Sequence, residues 1–295
     1  MLRLCARRTA NAVFHVELRR ARLVRWVFRE ETLSRTGAEP KYRNWLLDSV
    51  AAGRERMLLM NCSGIILPPQ TDRTHALPDP EVKDCLTKLS ASRTRLIVIS
   101  ARPAYEVSAL LALTPAPEIW GDSGLERIYP DGRYECNGLK TPVESLKVLI
   151  ECVSTLAQAG LRDLTHTRLA AVVVRCNQLN EAEELEARTS AYRVFHPLAA
   201  ANPALHIVES DDGVELRLRA GGKGDAVRRL IAVTPADVPI AYLGCDSLDE
   251  DAFRALSGRG LTVLVRTVPR FSAAQVCLRP DEIVGFLNDW IRHFP

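Results

Sequence analysis

The chain has no uninterrupted apolar run of about 18 residues, the length that a membrane-spanning helix needs, and this removes a transmembrane segment. It has no C-x-x-C pair, since its eight cysteines (5, 62, 85, 136, 152, 176, 245 and 277) are scattered. A zinc site therefore lacks paired ligand spacing. In a chain of 295 residues without a clear secretory signal, the thiols read as reduced, in a cytoplasmic protein. The six histidines form no ligand cluster either. A large excess of one charge is also missing: 39 basic residues face 36 acidic ones, a formal net of +3. Residues 1–50 hold 11 Lys/Arg against 5 Asp/Glu, so the remainder is close to neutral and gives no electrostatic case for nucleic-acid binding. Compositional bias is absent too. At 47% hydrophobic and 25% charged residues, the chain has an ordinary globular composition and enough length for one large domain or two smaller ones.

What is present begins with a basic extension, residues 1–50. Eight arginines lie between Arg3 and Arg29, with Glu17 the one acid before Glu30. Such a start suits an organellar presequence, a membrane-surface helix or a nucleic-acid arm, or else a helical extension that docks through Val13, Phe14, Leu23, Trp26 and Phe28. Nothing in it carries chemistry.

From Arg56 the pattern becomes regular. Met57–Met60 reads as a buried strand that stops at the polar turn Asn61-Cys62-Ser63-Gly64. Asp79 to Ser92 predicts a helix with Asp79 as N-cap, Pro80 in the first turn and Val82, Cys85, Leu86 and Leu89 at helical spacing. Leu96–Ile99 is a second strand, ending in Ser100-Ala101-Arg102-Pro103, and a helix follows through Val107 and Leu111. The C-terminal third repeats the alternation. A helix opens at Gly222-Lys223-Gly224, the strand Ile240–Leu243 ends at Gly244-Cys245-Asp246-Ser247, and the strand Leu261–Val265 precedes a last helix from about Pro280. Strand–helix alternation of this kind predicts a parallel sheet with right-handed crossovers. Residues 137–217 differ in texture: two helices, about 141–159 and 180–201, a strand at Leu169–Val174, and a hairpin turning at Asp211-Asp212-Gly213. The expected fold is thus α/β, a Rossmann-like parallel-sheet core (55–136 and 218–295) with an inserted α+β cap domain. Its ligand site lies outside the carboxyl ends of the strands, beneath the cap.

The segments at those strand ends resemble the trehalose-6-phosphate phosphatase family within the haloacid-dehalogenase-like superfamily, over about residues 55–295. The family's D-x-D-G-T-L strand end stands here as Asn61-Cys62-Ser63-Gly64-Ile65-Ile66, and its S-G-R-P as Ser100-Ala101-Arg102-Pro103. Its G-x-H-G-x-E is Gly121-Asp122-Ser123-Gly124-Leu125-Glu126. Its K-G-x-A-V is intact from Lys223 to Val227, and its G-D-D-x-T-D-E-D-A-F is Gly244-Cys245-Asp246-Ser247-Leu248-Asp249-Glu250-Asp251-Ala252-Phe253.

The resemblance implies a Mg²⁺-dependent release of phosphate from trehalose-6-phosphate, through an aspartyl-phosphate formed on the first Asp with the second Asp as acid and base. Those two catalytic positions are Asn61 and Ser63 in this chain. A carboxamide is a poor nucleophile, and a serine has no group that titrates near neutral pH. The implied metal ligands are the nucleophilic Asp, a backbone carbonyl at the second Asp, and the first Asp of G-D-D, which is Cys245 here. A thiol is a wrong ligand for a hard ion; Asp246 and Asp249 remain, as supporting positions. Phosphate monoester hydrolysis needs up to ~10²¹-fold acceleration. Losing one member of a cooperating catalytic set costs on the order of 10⁶. Three altered positions therefore point to a homologue impaired in catalysis or inactive, with Mg²⁺ weak or absent, that binds a sugar phosphate or a trehalose-pathway enzyme. The alternative is a working Mg²⁺ phosphatase with unusual ligands.

The expected phosphate and sugar contacts are Ser100, Arg102, Glu126, Arg175 (the match to the end of the family's V-E-x-K) and Lys223. Each has a plainer reading. Lys223 also suits an ordinary first-turn lysine, Arg102 a loop brace, Asp249–Asp251 an acidic helix start, and Cys62 and Cys245 either a thiol pair or space-fillers.

Overall fold

The computed structural model describes residues 38–50, 55–68, 77–136, 143–219 and 221–294. The expectations for the arginine-rich residues 1–35 lie outside these. Helix α1 (Ala38–Val50), taken from sequence as the end of the extension, belongs to the body by its packing. Tyr42 and Leu46 are buried in the core, and Trp45 stacks on Trp290 at 6.1 Å.

The central sheet begins with β1 (Arg56–Asn61), followed by α2 (Pro80–Ser90), β2 (Thr94–Ile99), α3 (Ala104–Leu111) and β3 (Glu118–Gly121). Asp79 caps α2 as expected, its carboxylate accepting from the Glu81 and Val82 amides. After a short edge hairpin, β4 (Glu126–Ile128) and β5 (Tyr134–Cys136), the chain leaves for the cap. It returns through α6 (Lys223–Ala232), β10 (Ile240–Gly244), α7 (Glu250–Leu256), β11 (Leu261–Val265), β12 (Val276–Leu278) and α8 (Ile283–His293). The strand order is β12-β11-β10-β1-β2-β3-β4-β5, with the first six parallel and the edge hairpin antiparallel. This is the α/β fold with a mostly parallel sheet that the alternation predicts.

Period-two geometry splits each central strand between two cores. Leu58, Met60, Val98, Ala241 and Leu243 face the side closed by α1, α2, α3 and α8, while Met57, Leu59, Ile97, Ile240 and Tyr242 face the side closed by α6 and α7. Burial on both faces explains why these strands read as unbroken apolar runs.

The insert consists of α4 (Val143–Gln158), β6 (Thr165–Arg168), β7 (Ala171–Arg175), α5 (Glu181–Ala201), β8 (Leu205–Ser210) and β9 (Gly213–Leu218). Its four strands form a separate antiparallel sheet, ordered β6-β7-β9-β8, with α4 and α5 packed over it through Leu149, Cys152, Leu156, Ala191 and Phe195. The hairpin turns at Asp211-Asp212 as its sequence predicts, and Asn180 closes a capping box with Glu183 at the start of α5. The sequence reading missed β3, β4, β5, β6 and β12. Each has only three or four residues, and β5 is fully exposed, so no alternation marks them.

Candidate functional site

From β1 the chain steps outward to β2 and β3, then returns on the opposite side of β1 to form β10. The sheet order therefore reverses between β1 and β10, which is where open α/β sheets build their sites. The carboxyl ends of these two strands carry Asn61 and Gly244, and the segments that follow them face each other. Gly64 has φ +81°, and a β-carbon there would lie 2.6 Å from the Cys245 Sγ. Gly244 is required because a β-carbon would meet the Asp249 side chain at 2.6 Å.

Asp249 is the hub. It is 0% exposed, and its two oxygens accept from five donors. Oδ1 takes the Lys223 Nζ and the Tyr242 hydroxyl, each at 2.6 Å. Oδ2 takes the backbone amides of Cys245 (2.7 Å) and Asp246 (3.1 Å) and the Asn61 Nδ2 (3.2 Å). A carboxylate has about four lone-pair sites, so this one is saturated. Burial opposes its charge, but the Lys223 ammonium and these hydrogen bonds outweigh burial and hold the Asp249 pKa below the usual carboxylate value. Burial likewise works against the Lys223 charge, and the carboxylates of Asp246 and Asp249 reverse it, raising the lysine.

Asn61 fits this position because it must donate. Its Nδ2 faces three acceptors: the Ser63 carbonyl (3.0 Å), the Cys245 sulfur (3.4 Å) and Asp249. The Cys245 thiol in turn donates to the same Ser63 carbonyl at 3.0 Å, and burial first, then Asp246 and Asp249, push its pKa far up. The carbonyl that the resemblance assigns to a metal is thus already engaged twice.

These residues do not fit Mg²⁺, which needs near-octahedral hard oxygen ligands. An amide nitrogen, a protonated thiol and a saturated carboxylate face the place where the ion would sit. Asp246 is half-buried, its Oδ1 accepting from the Leu248 amide at 2.7 Å, and burial raises its pKa to about 6. Among the described residues no group of three or more His, Cys, Asp or Glu side chains is arranged to hold a metal ion.

The expected phosphate contacts divide. Lys223 joins the Asp249 hub, 2% exposed, instead of facing solvent, so its charge is neutralised by burial beside an acid. Ser100 is buried, and its Oγ accepts from the Arg102 amide at 3.0 Å. The Arg102 guanidinium pairs with Glu106, one turn on in α3. Glu126 acts as a brace. Its Oε1 accepts the Ala104 amide at the start of α3, and its Oε2 accepts the Tyr134 hydroxyl at 2.9 Å. Arg175, at the end of the cap strand β7, has a buried Nε without a hydrogen-bond partner among the described residues. Burial lowers its pKa, the Arg168 and Arg102 charges lower it further, and Glu106 and Glu215 oppose them.

Sequence reasoning missed several residues here. Tyr242 reads as one more apolar position of a buried strand, yet its hydroxyl completes the hub. The ion pair of Arg168 with Glu215 (2.8 Å) joins strands of the cap sheet, and Arg266 holds both Asp211 of the cap hairpin and the Cys245 carbonyl (3.2 Å). Pairing between residues so distant in sequence leaves no local signal.

Asp122 was also missed. It lies under the cap at φ +45°, its Oδ1 accepting from the Leu169 amide at 3.4 Å. Burial and the nearby Glu126 raise its pKa to about 6. A folded-state pKa above the unfolded value means that ionisation opposes folding: stability present at low pH is lost as pH rises through about 6. Asp122→Asn keeps the shape and tolerates the left-handed backbone. It is expected to stabilise the chain at pH 8 by on the order of 2 kcal/mol, with the gain gone by about pH 4. Thermal melts across that range check this; an equal effect at both ends would refute it.

No family model matches the chain, and no curated protein matches it. Solved structures do. The C-terminal domain of the trehalose-6-phosphate phosphatase of C. albicans superposes with a TM-score of 0.71 at 15% identity, covering 85% of this chain and 96% of that one. The C-terminal domain of the trehalose synthase regulatory protein of Candida albicans gives 0.64 at 13% identity, covering 83% and 97%. A haloacid dehalogenase-like hydrolase from Bacteroides thetaiotaomicron gives 0.57 at 15%, covering 79% and 98%. At these identities the likeness is one of fold.

Proposed function

We propose that this chain is a non-hydrolytic relative of the trehalose-6-phosphate phosphatases, one that binds trehalose-6-phosphate or a related sugar phosphate, without Mg²⁺, and works as a binding or regulatory subunit beside a trehalose-pathway enzyme. The observation that supports it most is the closed hydrogen-bond set around Asp249. The donors and carboxylate that a phosphatase would turn toward metal and phosphoryl group are turned toward each other. Neither Asn61 nor Ser63 supplies a carboxylate for covalent or acid–base work.

Binding is supported by Arg175, whose buried Nε has no hydrogen-bond partner among the described residues while Arg168 and Arg102 are paired with Glu215 and Glu106, since guanidinium groups recognise phosphate oxygens in a fork geometry. That the same fold carries both a phosphatase domain and a trehalose synthase regulatory domain agrees with either role being hosted on it. No described helix is long and apolar enough to cross a membrane. The free thiols of the seven described cysteines suit a reducing cytoplasm.

The test pairs phosphate release with calorimetric binding, using the full chain and trehalose-6-phosphate with and without Mg²⁺. The expected result is Mg²⁺-independent binding, weakened about tenfold or more in Arg175→Gln (one lost charge-assisted contact) and no phosphate release. Mg²⁺-dependent phosphate release by the natural sequence would establish the alternative, an active phosphatase, and end this reading. The variant Asn61→Asp/Ser63→Asp/Cys245→Asp adds a control: turnover by it alone would show that the pocket kept its substrate and lost its chemistry.

A further inference from the structure

A cleft of about 350 Å³ opens at the other end of the sheet, between the amino ends of β1 and β2 and the α6–β10 connection. It lies a full strand length from Asn61, so it is separate from the site under the cap. Its volume is within the range of small-molecule sites and its lining is mixed. Val233, Pro235 and Val238 supply apolar lining from the α6–β10 connection, and Arg56, Arg93 and Arg95 supply cationic lining from the amino ends of β1 and β2. The acid among the lining residues is Glu55, exposed at the rim.

The arginines are held differently. Arg56 is 8% exposed, and its guanidinium is braced 4.6 Å above the centre of the Phe294 ring. Arg95 is fixed by two hydrogen bonds to Glu118, from Nε at 3.0 Å and Nη2 at 2.8 Å. Arg93 is exposed and makes no ion pair among the described residues. It lies close enough to Arg56 to lower the pKa of that buried group, after burial itself. With Arg95 paired to Glu118, Arg56 and Arg93 are the like charges gathered at this concave surface, and they raise the local concentration of anions. Arg56 and Arg93, with the edge of Arg95 that Glu118 does not occupy, offer more donors than the two oxygens of a planar carboxylate can fill, and so favour a tetrahedral dianion.

We infer that the cleft formed by Arg56, Arg93, Arg95 and the Val233–Val238 segment is a second binding site, for a small phosphate ester whose organic part lies on the apolar lining. Occupancy there would couple to the body through Arg56 and Phe294, which join β1 to the end of α8.

Phenyl phosphate, inorganic phosphate and benzoate serve as probes, titrated into the full chain at low salt by calorimetry. Phenyl phosphate is expected to bind most tightly and benzoate at least tenfold more weakly. Arg93→Glu, an exposed change that leaves the packing intact, should weaken phenyl phosphate at least tenfold, while Arg254→Gln, an equally exposed change on α7, should leave it unchanged. Arg56→Lys keeps the charge and loses the fork, and should weaken it several-fold. Absence of phenyl phosphate binding at millimolar concentration, binding indifferent to Arg93→Glu, or an equal loss in Arg254→Gln would each overturn the assignment. Benzoate binding as tightly as phenyl phosphate would overturn the ligand class.

Discussion

Lys223→Met is expected to lower the melting temperature by about 10 °C. The substitution keeps the side-chain length and removes the ammonium that is 2.6 Å from Asp249, an acid with no exposure to water. Breaking a buried pair from one side costs about 3–5 kcal/mol, because the remaining charge is uncompensated, and a body of this size loses about 2–4 °C per kcal/mol. The deficit should shrink as pH falls toward about 4, where Asp249 in the variant can take up a proton. In the parent the order is opposite: Asp249 has a depressed pKa, so its contribution is present above the unfolded carboxylate value and is lost on acidification. Adding Asp249→Asn to Lys223→Met should recover part of the loss, since the orphaned charge is then gone. A shift of less than about 2 °C for Lys223→Met would mean that water or a rearrangement already serves Asp249, and the closed hub would be wrong.

The second large effect concerns Asn61→Asp, the change that restores the resembled family's nucleophile. The new carboxylate would face the Ser63 carbonyl, the Cys245 sulfur and Asp249, acceptors that Asn61 now satisfies from 3.0, 3.4 and 3.2 Å. Loss of both N–H donors that these three acceptors share, with two carboxylates in one buried site, should destabilise the chain by about 3 kcal/mol or more at neutral pH. Because like charge raises the pKa of the pair, the melting temperature of the variant should recover on acidification toward about pH 5. Millimolar Mg²⁺ is expected to change little, since Cys245 remains and Asp249 is saturated. Strong, selective stabilisation of Asn61→Asp by Mg²⁺ would instead reveal a latent metal cage, and would count against the non-hydrolytic reading.

The two effects share a cause. In this site Asn61 is a donor to a buried acid, and Lys223 is the ion-pair partner of that same acid. Arg175, at the end of β7 in the cap, has a buried Nε without a hydrogen bond among the described residues. The hub is then scaffolding: it fixes the β1 and β10 ends, and with them the Cys245 carbonyl and Ser247 hydroxyl that hold the cap hairpin through Arg266 and Glu209.

Much of the fold was legible because its signals are local. The apolar runs at 57–60, 96–99, 240–243 and 261–265 are strands since a parallel sheet buries both faces. Asp79-Pro80 and the Asp211-Asp212-Gly213 turn act through backbone geometry within a few residues. The residues at 61, 63 and 245, where the strand ends β1 and β10 meet, were equally legible as neighbours across one site. The short edge strands were not, because three residues without alternation carry no period.

Local signals alone thus specify the layered α/β architecture, the insertion of a cap and the places at which the site would gather. The state of each side chain at those places came only with the folded chain. Asp249 is consumed by five donors, Lys223 is buried, Glu126 braces the start of α3, and three arginines gather at the far end of the sheet. The division is physical. Propensity, capping and periodicity act over a few residues, whereas charge, burial and hydrogen-bond saturation depend on what the fold brings within a few ångströms from elsewhere in the chain.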